Sequence, residues 1–504
     1  MEWSSYQRAV FADVETGTGH TVINAVAGSG KTTTIEYAIA HVPRGCRVLF
    51  AAFNKSIAVE LGRRMSSMKD VNVSTLHSYG LRCIHRNIGY PRIDPDRVRN
   101  LYEKAYKIPP FPVHDVEKAV SLAKGHMART KGQITEISFN FEIQSGIADA
   151  GHDSDGDGNG NDDGNGSGNG KTQNRKKSFA EVVLDILERC KSTEDRCIDF
   201  DDMVWLPVTL NMPVQKFDRV FIDETQDLNT AQIALALRAV RTGGRICAVG
   251  DPRQSIYGFR GADERAFENV KARLSAKELP LSVCYRCSRA VVREAQRIVP
   301  GIEAAPGAVD GVVRDAKLGE MLRDVRPGDF VLSRANAPLV SICLKLLAQE
   351  RPAVVMGRDI GANLASLVKR SKAATVGELL DYIEDWAREE KDRLKHAKKD
   401  TPAKVQSIDD RRNAIFALSE GLRNVSDVLD RIDRIFSNVK DSDIITLAST
   451  HKAKGLERDR VWMLSETYGR WPGVEEENLT YVAITRAKRE LVYVTGVWGK
   501  EAAA

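Results

Sequence analysis

The stretch "HTVINAVAGSGKTTTIEYAIAHV", His20 to Val42, decides the fold. Its first part is apolar and of strand length. Its middle is a run of small residues, and its end has the 3.6-residue apolar period of a helix. A strand that feeds a glycine turn and then a helix is built to hold phosphate. Backbone N–H groups of Gly28 to Thr32 can wrap the anion, and the helix dipole favours its charge. Lys31 supplies a cation to the β- and γ-phosphates, and the Thr32 hydroxyl can ligate Mg²⁺. The usual pattern, GxxxxGK[ST], starts on glycine, whereas here Ala25 takes that place. Ala25, Ala27, Gly28, Ser29, Gly30, Lys31, Thr32 and Thr33 are therefore the candidate nucleotide contacts of the loop. A chance glycine turn is the competing reading, and it accounts for neither the strand before nor the helix after.

The order strand, loop, helix recurs. "CRVLFAAFNKSIAVELGRRM" (Cys46 to Met65) repeats it. "FDRVFIDETQD" (Phe217 to Asp227) and "GRICAVGDPRQSI" (Gly244 to Ile256) are two more buried-type strands ending in polar residues. Strands alternating with helices predict an α/β protein with wound parallel sheets and ligands at the strand C-termini. α/β texture resumes after Arg286. Two stretches are mostly helical instead, about Ile88 to Arg196 and about Gly377 to Val439. Inside the first lies a Gly/Asp/Asn-rich run, about Asp149 to Lys177, with almost no apolar residue to offset the cost of ordering its backbone. It reads as a disordered loop. Asp153, Asp155, Asp157 and Gly158 within it match the start of a calcium loop, but Gly164 stands where a bidentate Glu is needed, so a linker is the better reading.

The bulk numbers set limits. At 504 residues the chain has room for several domains. Its net charge of +5 permits a polyanion partner without arguing for one. The charged run "REEKDRLKHAKKD" reads first as a solvated helix face. No apolar run is long enough to span a membrane, and "MEWSSYQRAVF" lacks the basic start of a signal peptide. Eight scattered cysteines fit a reducing compartment, so an intracellular, cytoplasmic protein is expected. "CYRC" (Cys284 to Cys287) has no second pair at zinc-ribbon spacing.

A second chemical motif follows the third strand. In "VFIDETQD" an apolar run ends in Asp223 and Glu224. Asp223 is placed to hold Mg²⁺, and Glu224 to orient and deprotonate an attacking water. Acid pairs after apolar runs are common. Joined to the phosphate loop, this one favours hydrolysis over transfer to a second substrate.

The motifs that complete the pattern give the chain a close resemblance to superfamily 1 helicases of the UvrD/Rep/PcrA type. "YQRAVF" resembles the Q motif, "AVAGSGKT" motif I, "FAAFNKSIA" motif Ia and "STLHSYG" motif Ib. "FIDETQD" resembles motif II, and "VGDPRQSIYGFRGA" closely matches motif III. "VCYRCS" resembles motif IV, with Cys284 where the family usually has Asn. "LASTHKAKGLE" resembles motif V and "YVAITRAK" motif VI. They occur in family order and cover most of the chain outside the helical stretches.

The resemblance implies two RecA-like P-loop NTPase domains, each interrupted by a helical insertion. The division it suggests is 1–88 with 200–280 (1A), 89–199 (1B, with the loop 149–177), 281–376 with 440–499 (2A) and 377–439 (a short 2B-like insertion). It implies ATP and Mg²⁺ as cofactors, with Thr32 and Asp223 on the metal. Gln7 would read the adenine edge, Tyr285 would stack on the base, and Glu457 would contact the ribose. Gln254 would sense the γ-phosphate, and Arg286 and Arg486 would stabilise charge on the transferring phosphoryl, as arginine fingers do. ATP would sit in a cleft between the two units and close it. Single-stranded DNA would stack on Tyr257 and Phe259, with Asn54, Thr75, His77 and Arg260 contacting the strand or holding that platform. Without the motif, Tyr257 and Phe259 would read as core aromatics. "IDFDDMVWL" (Ile198 to Leu206) resembles the segment before motif II. Its Asp199, Asp201 and Asp202 could be a metal cluster, though capping of a helix near Asp201 fits better. The chain ends soon after the last motif, so no fused nuclease is expected.

The expected function is an ATP-dependent DNA helicase or translocase moving 3′→5′ on single-stranded DNA and at junctions with duplex; the polarity comes from the resemblance. Two variants stay open: a translocase that strips proteins with little unwinding, and a nucleotide-switched DNA-binding scaffold. A small-molecule P-loop kinase predicts neither "QSIYGFRGA" nor a second α/β unit bearing arginines.

Overall fold

A computed structural model describes residues 2–68, 70–141, 143, 145, 177–256, 265–396, 402–437, 443–469 and 473–497. The expected linker at 149–177, with its Asp153, Asp155 and Asp157 pattern, lies outside the described residues apart from Lys177. Tyr257, Phe259 and Arg260 lie outside them too. By which residues pack together, the chain forms two compact units. The first comprises Met1–Asn24, Lys31–Pro252 and Tyr257–Pro280; the second comprises Ala25–Gly30, Arg253–Ile256 and Leu281–Ala504.

The first unit is built on a six-stranded sheet. Its strands are β1 (Thr21–Ala25), β2 (Val48–Ala52), β3 (Val71–Thr75), β4 (Phe217–Ile222), β5 (Val240–Gly250) and β6 (Lys277–Leu281), in the spatial order β3-β2-β4-β5-β1-β6. The β3-β2-β4-β5-β1 ladders are parallel. Val22, Leu49, Val220, Ile222, Ile246 and Ala248 give its core, and Leu235, Ala236 and Phe267 from helices cover them. Apolar residues on consecutive strand positions are what a sheet buried on both faces requires.

A second core in the same unit belongs to the helices between 76 and 209. Val116 and Val120 from helix Val113–His126, Val183 and Ile186 from Phe179–Lys191, and Leu206 from Asp202–Thr209 meet there. Gly80 on helix Leu76–Ile88 allows Asp202–Thr209 to come close: a Cβ at Gly80 would lie 1.9 Å from the Met203 carbonyl oxygen. Buried ions tie the same helices. Lys124 pairs with Asp199 and Asp202, and Arg97 pairs with Asp202. The expected cap of this helix takes a different form. Asp201 makes no cap bond; the Asp199 carboxylate accepts the Asp202 N–H at 2.8 Å instead. Buried cations pair with Asp199 and Asp202, and among the described residues no group of acids, histidines and cysteines is arranged to hold a metal.

The second unit carries a seven-stranded parallel sheet of β7 (Val312–Lys317), β8 (Phe330–Ser333), β9 (Ala353–Met356), β10 (Phe436–Ser437), β11 (Ile445–Ser449), β12 (Arg458–Leu464) and β13 (Ala487–Thr495). The spatial order is β7-β13-β12-β8-β11-β9-β10. Its strands alternate between two cores. Val331, Leu447, Trp462 and Val492 face one, and Phe330, Ala448, Val461 and Leu491 face the other. The helices Val376–His396, Pro402–Ser419 and Val425–Ile435 put Leu379, Ile415 and Ile432 into the first of these cores. Among the described residues no helix is long and apolar enough to cross a membrane.

Candidate nucleotide site

In the first unit the chemistry gathers at the C-terminal ends of β1, β5 and β4, which are neighbours in that order. This is where wound parallel sheets place their ligands. Helix Lys31–Ile39 starts there. Lys31 Nζ pairs with Glu224 Oε2 at 3.0 Å. Burial pulls the Lys31 ammonium down, but the charges of Glu224, Asp251 and Asp223 outweigh it and hold its pKa above the usual value. Asp223 follows β4 and is buried. Burial first, then the charge of Glu224, raises its pKa to about 7, while Lys31 and the Thr32 hydroxyl act in the opposite direction. Its Oδ1 accepts the Glu224 N–H at 2.9 Å, and among the described residues no donor meets hydrogen-bond geometry at its Oδ2.

That orphan oxygen tests the fit for a cation. A buried carboxylate oxygen without a donor is costly in protein alone. A divalent ion shared with Thr32 would satisfy it and favour the ionised form of Asp223. The donor set, one carboxylate and one hydroxyl, suits an ion that keeps waters and phosphate oxygens as its other ligands. The residues fit Mg²⁺.

Glu224 sits at φ 49°, the left-handed region that non-glycine residues seldom occupy. Gln226 fixes it there: its amide donates to Glu224 Oε2 at 2.6 Å and its oxygen accepts the Asp251 N–H at 3.0 Å. One side chain thus links the ends of β4 and β5. Sequence reasoning missed Gln226, although it stands two residues beyond Glu224 in the quoted motif.

Gln7 is buried. Its oxygen accepts the Ser4 N–H, closing a capping box, and its amide donates to Thr34 Oγ1 at 3.0 Å. Asn54 and Thr75 are N-caps. Asn54 accepts from Ile57 N–H, and Thr75 accepts from Ser78 N–H. They follow β2 and end β3, and burial lowers the pKa of nearby His77.

In the second unit the loop Ala25–Gly30 folds over the segment Cys284–Arg286. Ala25 closes a strand, an extended position that any residue adopts, which explains why the usual first glycine is dispensable. Gly28 and Gly30 have φ near 70° and need the freedom of glycine. The Ala27 N–H donates to the Tyr481 hydroxyl at 2.9 Å, and Tyr285 N–H donates to the Gly28 carbonyl at 2.9 Å. Ser29 Oγ is buried and has no hydrogen-bond partner among the described residues. Thr33 is exposed, while Thr32 is half-buried.

Tyr285 is 46% exposed, suited to stacking. Arg286 pairs with Glu457, which also holds Lys488 at 3.0 Å, and it donates to the Thr485 carbonyl at 3.2 Å. Glu457 is thereby joined to two cations. Arg486 is buried and donates to the carbonyls of Val482 and Leu456 and to Thr485 Oγ1. Burial, then the charge of Arg286, lowers its pKa to about 10, so it stays charged at neutral pH. Lys454 donates to the Gln254 carbonyl at 2.6 Å, and Ile256 packs with Leu479 and Val482. Tyr481 and Lys454 lie inside motifs VI and V, but their bonds to the loop and to Gln254 join parts of the chain that sequence spacing does not relate.

Comparison with known proteins agrees with this architecture. The family model described as UvrD/REP helicase N-terminal domain matches residues 6–275, and the UvrD-like helicase C-terminal domain matches 345–496. The ATP-dependent DNA helicase PcrA of Bacillus subtilis is 25% identical over 314 residues, 57% of this chain and 38% of that protein. The F-box DNA helicase protein 1 of Schizosaccharomyces pombe is 27% identical over 310 residues, 55% of this chain and 34% of that protein. The aligned stretch thus spans little more than a third of these relatives' length. With a family model matching more than half its residues, the chain belongs to the UvrD/Rep helicase family.

Proposed function

We propose that the protein hydrolyses ATP to move along single-stranded DNA in the 3′→5′ direction and to open duplex. The observation that carries this reading is the Lys31–Glu224 pair beside Asp223 with its orphan oxygen. Lys31 exchanges Glu224 for phosphate when ATP enters. Glu224 then orients water and accepts its proton. Thr32 and Asp223 would hold Mg²⁺, which would supply positive charge to the phosphate oxygens. The loop from Ala25 to Thr33 cradles the phosphates, Gln7 reads the base, Tyr285 stacks on it, and Glu457 turns to the ribose. Arg286 and Arg486 offset the charge that develops on the phosphoryl group. Gln254 reports the phosphate to the strand-binding residues Asn54, Thr75, His77, Tyr257, Phe259 and Arg260.

The domain limits 1–88 with 200–280, 89–199, 281–376 with 440–499 and 377–439 are part of this proposal. One observation favours the weaker-unwinding variant. The helices between 376 and 435 share a core with the second sheet, so they are committed to that sheet. Strand displacement on 3′-tailed against 5′-tailed duplexes tests the reading. Unwinding of the 3′-tailed substrate alone is expected. Equal unwinding of both removes the polarity, and ATP-driven movement without unwinding favours the variant.

A further inference from the structure

Two thiols bracket Tyr285 and Arg286. Cys284 lies under the loop: a Cβ at Gly28 would meet its Sγ at 2.8 Å and Arg286 Cβ at 2.6 Å. Cys287 N–H points at Cys284 Sγ from 3.4 Å. Cys287 Sγ lies 3.8 Å from the Thr485 carbonyl, the acceptor that Arg286 also uses at 3.2 Å. The pair is therefore already together, and its second member shares an anchor with the guanidinium. The Cys287 thiol, with backbone N–H groups and the Arg286 charge, lowers the Cys284 pKa to about 7, which makes it the nucleophile of the two.

We propose that Cys284 and Cys287 form a peroxide-sensitive dithiol whose oxidation to a disulfide displaces Tyr285 and Arg286 and stops nucleotide turnover. This rests on the reading of Tyr285 and Arg286 as nucleotide-site residues. Cys284 thiolate attacks one oxygen of hydrogen peroxide; an S–O bond forms, the O–O bond breaks, and hydroxide leaves to take up a proton as water. Cys287 sulfur then attacks the sulfenic sulfur. The S–S bond forms, the S–O bond breaks, and the departing oxygen leaves as water with the Cys287 proton. Two electrons pass from the thiols to peroxide. The sulfurs must close to about 2.05 Å, which draws Cys287 off the Thr485 carbonyl and tightens the two-residue turn holding Arg286. Both cysteines are buried, so a small oxidant is required and bulky disulfides are excluded.

The test treats reduced full-length protein with hydrogen peroxide, then maps peptides by mass and measures ATP turnover. A Cys284–Cys287 disulfide is expected, with turnover down about 100-fold, the scale of an ångström misplacement, and restored by dithiothreitol. Cys284→Asn and Cys287→Ser should each keep their turnover through the same treatment, and either suffices if the other fails to fold. Absence of the disulfide, a disulfide with unchanged turnover, or equal loss in a folded variant overturns the proposal. If reduced protein hydrolyses no ATP, the function above fails and the proposed switch falls with it, while the mass readout still scores the thiol chemistry.

Discussion

Lys31 and Glu224 neutralise each other at 3.0 Å in this structure, and each is proposed to serve the phosphoryl group once ATP takes the other's place. Lys31→Ala should therefore lower ATP turnover by about 100- to 1,000-fold, the cost of losing one charge-stabilising group. Circular dichroism should stay native, since Glu224 keeps its Gln226 bond. Glu224→Gln should lose about 100- to 10,000-fold in turnover, the range for a missing general base. It should still bind nucleotide, which fluorescence titration with a labelled ATP analogue would check. The residues at this scale were legible because the chemistry demands a residue type at a fixed spacing, as with Gly28, Lys31, Asp223 and Glu224. Gln226 was not singled out, because its task is to hold Glu224 and Asp251 and only the fold brings those together.

Among the elements, strands β1, β2, β4 and β5 announced themselves as apolar runs ending in polar residues, because both faces of the sheet are buried. The helix cores were less legible. Of the acids that suggested a cap or a metal site, Asp199 and Asp202 also answer Lys124 and Arg97, which are far away in sequence. Asp202→Ala leaves those buried cations facing too little negative charge. It should destabilise by about 3–5 kcal/mol, as breaking a buried ion pair does, and urea unfolding would read that as a lower midpoint. Thr75 caps helix Leu76–Ile88. Thr75→Ala should cost about 0.5–2 kcal/mol, measured the same way, whereas Thr75→Ser keeps the oxygen and should be nearly neutral. A Thr75→Ser protein of native stability but weakened DNA binding would show that the residue touches the strand as well as the helix.

For the whole molecule, each unit pairs a parallel sheet with helices, and the family match spans both. The unit memberships were hidden from the sequence. The loop Ala25–Gly30 and the segment Arg253–Ile256 pack with the second unit, while the strands that carry them belong to the first. The central claim is that hydrolysis is coupled to a DNA strand. Phe259→Ala probes the strand side: DNA-stimulated activity should need more DNA, by about one stacking contact or 1–3 kcal/mol. The most direct measurement is the steady-state ATP hydrolysis rate with and without single-stranded DNA. The account predicts a rate that rises many-fold with DNA in the wild type and stays near zero in Lys31→Ala under both conditions. A wild-type rate that single-stranded DNA leaves unchanged would contradict it.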